Sequence, residues 1–316
     1  MEFSNKQFED AVRELLTASD LEFTEENLKF VTGIHICNEV VRNYYVPWQS
    51  TSSAFKMTPV NLFLTWDMVN DGDLALFPHI KALHAYGNAG TPPDERRVPL
   101  HLFPDLKEFY LYKATVDNWV YLENMASLKM LYLHKCDGDG NKILKHIAAL
   151  RLTQKDIFFG VATPTERLMV PVLDHLSIVH MGVSDLSPVD WTWNWDDVDL
   201  SYSEISDISP LENNAVYHLN LRWNKISDIK PLESSRNYYL NLRHNQIDDI
   251  NPLINRVGKK NAEHAHRQLS RLYINYNPIP REQLAKVAKL RLIHNDFTDG
   301  NRNIRSDFTY EQESLS

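Results

Sequence analysis

A pattern of alternating apolar residues returns through the chain at a nearly constant step, and it ends in I-x-D-I-x-P-L in its clearest copies. The segments LSIVHMGVSDLSPV (176–189), VDLSYSEISDISPL (198–211), LNLRWNKISDIKPL (219–232) and LNLRHNQIDDINPL (240–253) begin 22, 21 and 21 residues apart. FYLYKATVDNWVYL (109–122) and LYLHKC (131–136) are also 22 apart, while LYINYNPI (272–279) and LRLIHNDF (290–297) repeat the core of the unit. A unit this short makes one strand and one return. It cannot bury its own apolar side, so neighbouring units must stack to form a common core.

Each position in the unit has a physical task. Leu219 and Leu221 alternate in a short strand and point inward, while Asn220 between them points out. Asn224 and Asn245 follow the strand, where a buried amide can satisfy turn backbone groups. Ile226, Ile229 and Leu232 continue the interior, and Pro210, Pro231 and Pro252 turn the chain on the opposite side. This period and spacing identify leucine-rich repeats. The expected fold is an α/β solenoid, a leucine-rich-repeat horseshoe with a concave parallel β-sheet, a helical N-terminal cap and irregular repeats carrying insertions.

The chain divides accordingly. Residues 1–32 predict the cap: Ser4 and Gln7 have capping-box spacing, Phe3 and Phe8 suit a hydrophobic staple, and a second helix starts at Thr24 with Glu25 and Glu26 in its first turn. Phe8, Val12, Leu15 and Leu16 make an apolar stripe at helical spacing. Residues 33–105 are degenerate repeats or an irregular region, with VTGIHI (31–36) and LHAYGN (83–88) as strand candidates. Repeats follow over 106–297, with insertions near 137–171 and 254–271, and 298–316 is a polar tail.

The segments FEDAVRELL and FTEENLKFVTGIHI, within 8–36, resemble the helical cap of internalin-like bacterial proteins, and ISDISPL, ISDIKPL and IDDINPL resemble their repeats. The resemblance implies a curved right-handed solenoid whose concave sheet recognises proteins. Unlike the best-known members, this chain shows no secretion signal and no wall-anchoring tail.

Composition narrows the partner. The formal net charge is −9, which repels phosphate, so neither nucleic acid nor an anionic membrane is expected as a partner. Two cysteines, Cys37 and Cys136, are too few for a disulfide framework. With no signal-like N-terminus and no apolar run long enough for a bilayer, the expectation is a soluble cytoplasmic protein.

The outward strand positions are the candidate surface. They comprise Tyr110, Tyr112, Tyr132, His175, Asp197, Asp199, His218, Asn220, Arg222, Tyr239, Asn241, Arg243 and Tyr273. Tyr and Arg dominate binding hot spots, although strand surfaces favour Tyr in any case. Charge is sorted along the chain, with eight acidic and no Lys or Arg residues over 185–213, and nine basic against three acidic residues over 254–297. Such bands either steer a complementary partner or are solvated faces.

Trp191, Trp193 and Trp195 alternate, so they form either an exposed platform or, the better expectation, packing over the convex side. DGDGN (137–141) begins like a calcium loop but has Lys142 and Ala148 where Gly and Glu are required, leaving a turn. His134 with Cys136, and His264 with His266, lack a second ligand pair, so no metal or other cofactor is expected. No Walker loop, HExxH or nucleophile elbow is present.

The sequence therefore points to a non-catalytic module that binds a protein on the concave face, as an adaptor, an inhibitor or an immunity-type protein. Two alternatives stay open. One is a cell-surface or secreted adhesin or effector of the internalin kind. The other is an enzyme with a site in the non-repetitive segments.

Overall fold

The computed structural model describes residues 2–37, 60–87, 97–153, 173–192, 194–258, 269–287 and 294–296. Its frame is a single eleven-stranded sheet in which every pairing is parallel. The strands are β1 (Val31–Cys37), β2 (Val60–Thr65), β3 (Ala82–Tyr86), β5 (Glu108–Tyr112), β7 (Met130–His134), β8 (His175–Val179), β9 (Asn194–Asp199), β10 (Ala215–Asn220), β11 (Tyr239–Asn241), β12 (Arg271–Tyr273) and β13 (His294–Asp296). Two further short strands, β4 (Arg97–Val98) and β6 (Thr115–Val116), pair with each other away from this sheet.

The repeat pattern explains the stack. Leu131, Leu176, Val198, Leu219, Leu240 and Leu272 occupy one register line across neighbouring strands, and all are buried. Ile226, Ile229 and Leu232 carry the same core behind the sheet. The returns are 3-10 turns at Ser209–Leu211 and Lys230–Glu233, both with proline in the first turn, and α4 (Asn251–Gly258), which holds Pro252. Proline suits these starts because the missing N–H would have no helical acceptor.

After β10, β11 and β12 runs an asparagine ladder. The Asn224 amide oxygen accepts from Ile205 N–H at 3.0 Å, and its Nδ2 donates to the Leu200 and Leu221 carbonyls, both at 3.0 Å. Asn245 and Asn277 make the same bonds one and two units on. Cys136 holds the equivalent place earlier in the chain: its Sγ donates to the Leu111 carbonyl at 3.1 Å, and burial pushes the thiol up to about 12. It is a buried structural thiol.

At the N-terminal end the chain departs from simple succession. β2 lies outside β1, so β1 is sandwiched between β2 and β3. Helix α1 (Lys6–Ala18) covers this end, with Phe8 against Phe77 at 5.9 Å between ring centroids. Its N-cap is Asn5 rather than Ser4: the Asn5 side chain accepts from Gln7 and Phe8 N–H. Ser4 and Asn5 instead donate backbone N–H groups to Asp73 at 2.7 and 2.9 Å, which ties the cap to the short helix α2 (Asp71–Leu74) after β2. Burial alone would raise the Asp73 carboxyl, but the bonds from Asn70, Ser4 and Asn5 hold it below its usual range. The Phe3–Phe8 staple is present at 5.6 Å. The second predicted helix is a 3-10 turn, Glu26–Phe30.

Other expectations needed correction. VTGIHI and LHAYGN do enter the sheet, as β1 and β3. The last strand is His294–Asp296, with Leu272 opposite Asn295, so it is out of register with the reading from LRLIHNDF. DGDGN opens helix α3 (Gly140–Thr153), with Asp139 Oδ1 accepting from Asn141 N–H at 2.9 Å. Trp191 and Trp195 are 1% and 0% exposed and belong to the core, which excludes a platform built from them. Their rings lie 5.5 Å apart and Trp191 Nε1 donates to the Leu186 carbonyl at 2.9 Å. Trp193, His264 and His266 lie outside the described residues.

Candidate functional site

The face of the sheet turned away from the core carries three columns of side chains. In the first, Glu108, Met130, His175, Asp197, His218, Tyr239 and Arg271 are successive register partners. The second runs His35, His84, Tyr110, Tyr132, Ser177, Asp199, Asn220, Asn241 and Tyr273. The third takes in Tyr112 and His134, with Arg222 and Arg243 just beyond their strands. All thirteen residues singled out from the sequence therefore stand on this one face or at its end. Their accessibility differs. Tyr110, Asn220, Arg222 and Asn241 are nearly covered by neighbours, while Tyr112, Tyr132, His175, Asp197, His218, Tyr239 and Tyr273 are partly open.

The columns are interlocked. Asp197 accepts from His175 Nδ1 at 2.9 Å with one oxygen and from His218 Nδ1 at 2.7 Å with the other. Burial pushes the Asp197 carboxyl up, but these two bonds outweigh it and bring it down to about 2. Burial lowers His175, and Asp197 outweighs it, leaving this imidazole above its ordinary value. With both carboxylate oxygens engaged, the cluster braces three units. Asn220 Nδ2 donates to Asp199 at 2.9 Å, and burial raises the Asp199 carboxyl. Arg222 lies over Tyr202 at 5.2 Å and Arg243 over Tyr273 at 4.7 Å, within reach of a cation–π contact.

Sequence reasoning missed a fourth line of residues. Immediately past the strand ends, Lys113, Lys135, His180, Tyr202, Trp223, His244 and Tyr276 all have positive φ, between 46° and 62°. The turn there lets Tyr202, Trp223 and His244 N–H groups still reach the next unit's carbonyls, at 2.9–3.1 Å. The last five rings form a continuous stack. Successive centroids are 4.2, 5.6, 3.8 and 4.0 Å apart, with planes within 17° of parallel. The left-handed conformation costs a bulky residue about 1–2 kcal/mol, and each ring contact returns about 0.5–1.5 kcal/mol. The signal was in the sequence: Trp223, His244 and Tyr276 each directly precede a ladder Asn.

Charge is mixed at both ends of the strands. Glu108, Asp174 and Asp196 lie at or near the strand starts together with Lys81, Lys107, Lys129 and Arg271, whereas Lys113, Lys135, Arg222 and Arg243 lie at or just beyond the strand ends, with Asp199 among them. Of the nine basic residues in the band expected over 254–297, Lys259, Lys260, Arg267, Lys289 and Arg291 lie outside the described residues. Within them, Arg256 is half-buried and donates to Ser235 and Asn237, while Arg281 and Lys286 are exposed.

Two histidines set a pH dependence. Burial brings His35 down to about 3, helped by His84; burial also brings His134 down to about 3, helped by His180, Lys135, Lys113 and Arg222. Below the ordinary histidine value the unfolded chain takes up these protons and the folded chain does not. Stability therefore falls as pH drops from about 6.5 towards 3, by up to about 1.4 kcal/mol per pH unit for each histidine. His175 acts in the opposite sense: its contribution is full below about 6.5 and is lost as pH rises through its folded value. Urea midpoints measured between pH 7 and 5 should fall, and His35→Gln with His134→Gln should flatten the slope; an unchanged slope would refute the assignment.

An open parallel sheet of stacked leucine units, backed by an asparagine ladder, defines a leucine-rich-repeat solenoid. No protein-family model and no curated protein sequence matches the chain. Among solved structures it is similar to an internalin of Listeria monocytogenes, with 19% identity over 92% of this chain and 88% of that one, at a TM-score of 0.48. A second internalin of the same organism is 15% identical over 92% of both chains, with a TM-score of 0.46. A leucine-rich-repeat protein of Leptospira interrogans is 16% identical over 73% of this chain and 63% of that chain, with a TM-score of 0.41. Among the described residues no helix is long and apolar enough to cross a membrane.

Proposed function

We propose that this chain is a non-catalytic binding module that holds a protein partner against the concave sheet face, in an adaptor, inhibitor or immunity-type role. The observation that carries this reading is the bracing of the face. Asp197 joins three units through His175 and His218, and Tyr239 packs against His218 and Tyr273 at 5.7 and 5.2 Å. Side chains already held in place lose little entropy when a partner docks, so contact area converts efficiently into affinity. The aromatic and Arg content supplies the residue types that anchor interfaces.

The test is affinity capture with the parent and a Tyr132→Ala/Tyr273→Ala variant. Both rings are partly open, and neither substitution disturbs the Asp197 cluster. Arg222 is a poorer choice, being 7% exposed beside the half-buried Asp199. Hot-spot truncations of this kind cost about 1–2 kcal/mol each, so the captured protein should bind the variant at least about tenfold more weakly. Equal retention by both baits, with equal melting temperatures, would rule out the face.

A further inference from the structure

The rim formed by the positive-φ residues is not needed by the fold in the form it takes. Asparagine or glycine accepts this backbone conformation with less strain than Tyr or Trp. The same turn is made at each unit whatever the side chain: Lys113 and Lys135 make it as Tyr202 and Trp223 do. Yet five consecutive units carry rings, and those rings are on view. Trp223 is 45% and Tyr276 59% exposed, and His180 is exposed as well.

The geometry of the stack limits what can bind it. Because the rings cover one another's faces, a partner lying across the units meets ring edges, with the Tyr hydroxyls and the Trp223 and His ring nitrogens among them. Ring edges carry the positive end of the aromatic quadrupole and attract anions and the faces of other rings. Among the described residues no further ring covers the outer face of Tyr276, which is 59% exposed. The rim is continued by Lys113 and Lys135, and Arg222 lies beneath it. This environment also registers on His180, which burial first and then Lys135 and Arg222 bring down to about 4. Two acidic residues follow closely, Asp137 and Glu204, and Glu204 is already paired with Lys225. A chain of net charge −9 thus carries an aromatic line with Lys113 and Lys135 at its start and Arg222 beneath it.

We propose that this rim is the docking line for an acidic segment of a protein partner that carries aromatic side chains, laid across the units from Lys113 to Tyr276. The proposal rests on the protein-binding reading and extends it: it places the partner's carboxylates along the strand ends and an aromatic residue on Tyr276. Charge complementarity chooses the occupant. A basic segment would be repelled by Lys113 and Lys135 at the start of the rim.

The probe is a fluorescently labelled random copolymer of glutamate and tyrosine, followed by anisotropy at low and high salt, with a lysine–tyrosine copolymer for comparison. Against its net charge, the parent should bind the glutamate copolymer, and salt should weaken the binding. Tyr202→Asn/Trp223→Asn, which places a residue suited to the backbone at both positions, should melt no lower than the parent and bind at least tenfold more weakly. Lys135→Gln should weaken binding in the same direction, and the lysine copolymer should bind parent and double variant alike. Absence of glutamate-copolymer binding, or equal binding by the Asn variant, overturns the proposal. So does a melting temperature several degrees lower with binding unchanged, which would make the rings structural. A natural partner that needs Tyr132 and Tyr273 but ignores the rim variant would sink this inference and leave the face reading standing.

Discussion

Leu219→Asp removes the single cooperative transition of the central units. Leu219 is fully buried between Val198 and Leu240 on the common register line. The substitution deletes a core side chain, worth about 2–5 kcal/mol, and puts in its place a carboxylate with no partner, at a further cost of several kcal/mol. Domain stabilities are about 5–15 kcal/mol, so the loss is comparable with the whole. In a stacked array the damage is also positional: a broken unit in the middle disconnects the units on either side. Circular dichroism and limited proteolysis should show a protein cleaved within the central repeats, with no sharp melt. A parent-like melt would show that Leu219 does not face the stack. The same substitution at Leu240 should behave alike, because the two residues are register partners.

The second large effect is expected from Asn224→Ala. This change deletes the buried carboxamide and strands two backbone groups, the Ile205 N–H and the Leu200 carbonyl. Leu221 keeps a donor, since Asn245 Nδ2 also reaches its carbonyl at 2.9 Å. Each buried group left unsatisfied costs about 1–3 kcal/mol, which gives about 2–6 kcal/mol for the substitution. Urea denaturation provides the check. Asn224→Cys should recover part of the loss, because Cys136 already serves this position by donating to a preceding unit's carbonyl. A loss under about 1 kcal/mol would mean that the ladder is replaceable by solvent.

Much of this architecture was legible because the repeat constrains it so tightly. Leu219, Leu240 and Ile226 had one inward orientation compatible with a strand and a common core, and the ladder role of Asn224 followed from its place after the strand. The thirteen face residues were legible for the same reason, as the outward half of a two-residue alternation. How far each is open was not. Asn220 and Arg222 share an outward phase with Tyr132, yet their neighbours in adjacent units cover them, and those neighbours are some twenty residues away in sequence. The aromatic rim escaped notice because the strand alternation had ended, and no periodicity argument assigns a direction to a residue with left-handed backbone. The tryptophans were left with two readings for a related reason, of which the packed one holds for Trp191 and Trp195. Alternation correctly grouped Trp191 with Trp195, but one-sidedness alone does not say whether the shared side is interior or solvent. The N-terminal end was the least readable, since nothing local in VNLFLT announces a strand that must pass outside its predecessor.

That fold-back has a consequence for how such an array can change in length over generations. Among the described residues each strand from β5 to β12 in the large sheet pairs with the strand before and the strand after, so duplicating or deleting a whole unit preserves every register. At the other end, β1 is already flanked on both sides, β2 is overlain by α1, and Asp73 is bound to the residues that start α1. A unit copied into that region would have no edge to join. The array can therefore lengthen or shorten only from its interior and its C-terminal side, and the first three strands with their helix are inherited as one indivisible block.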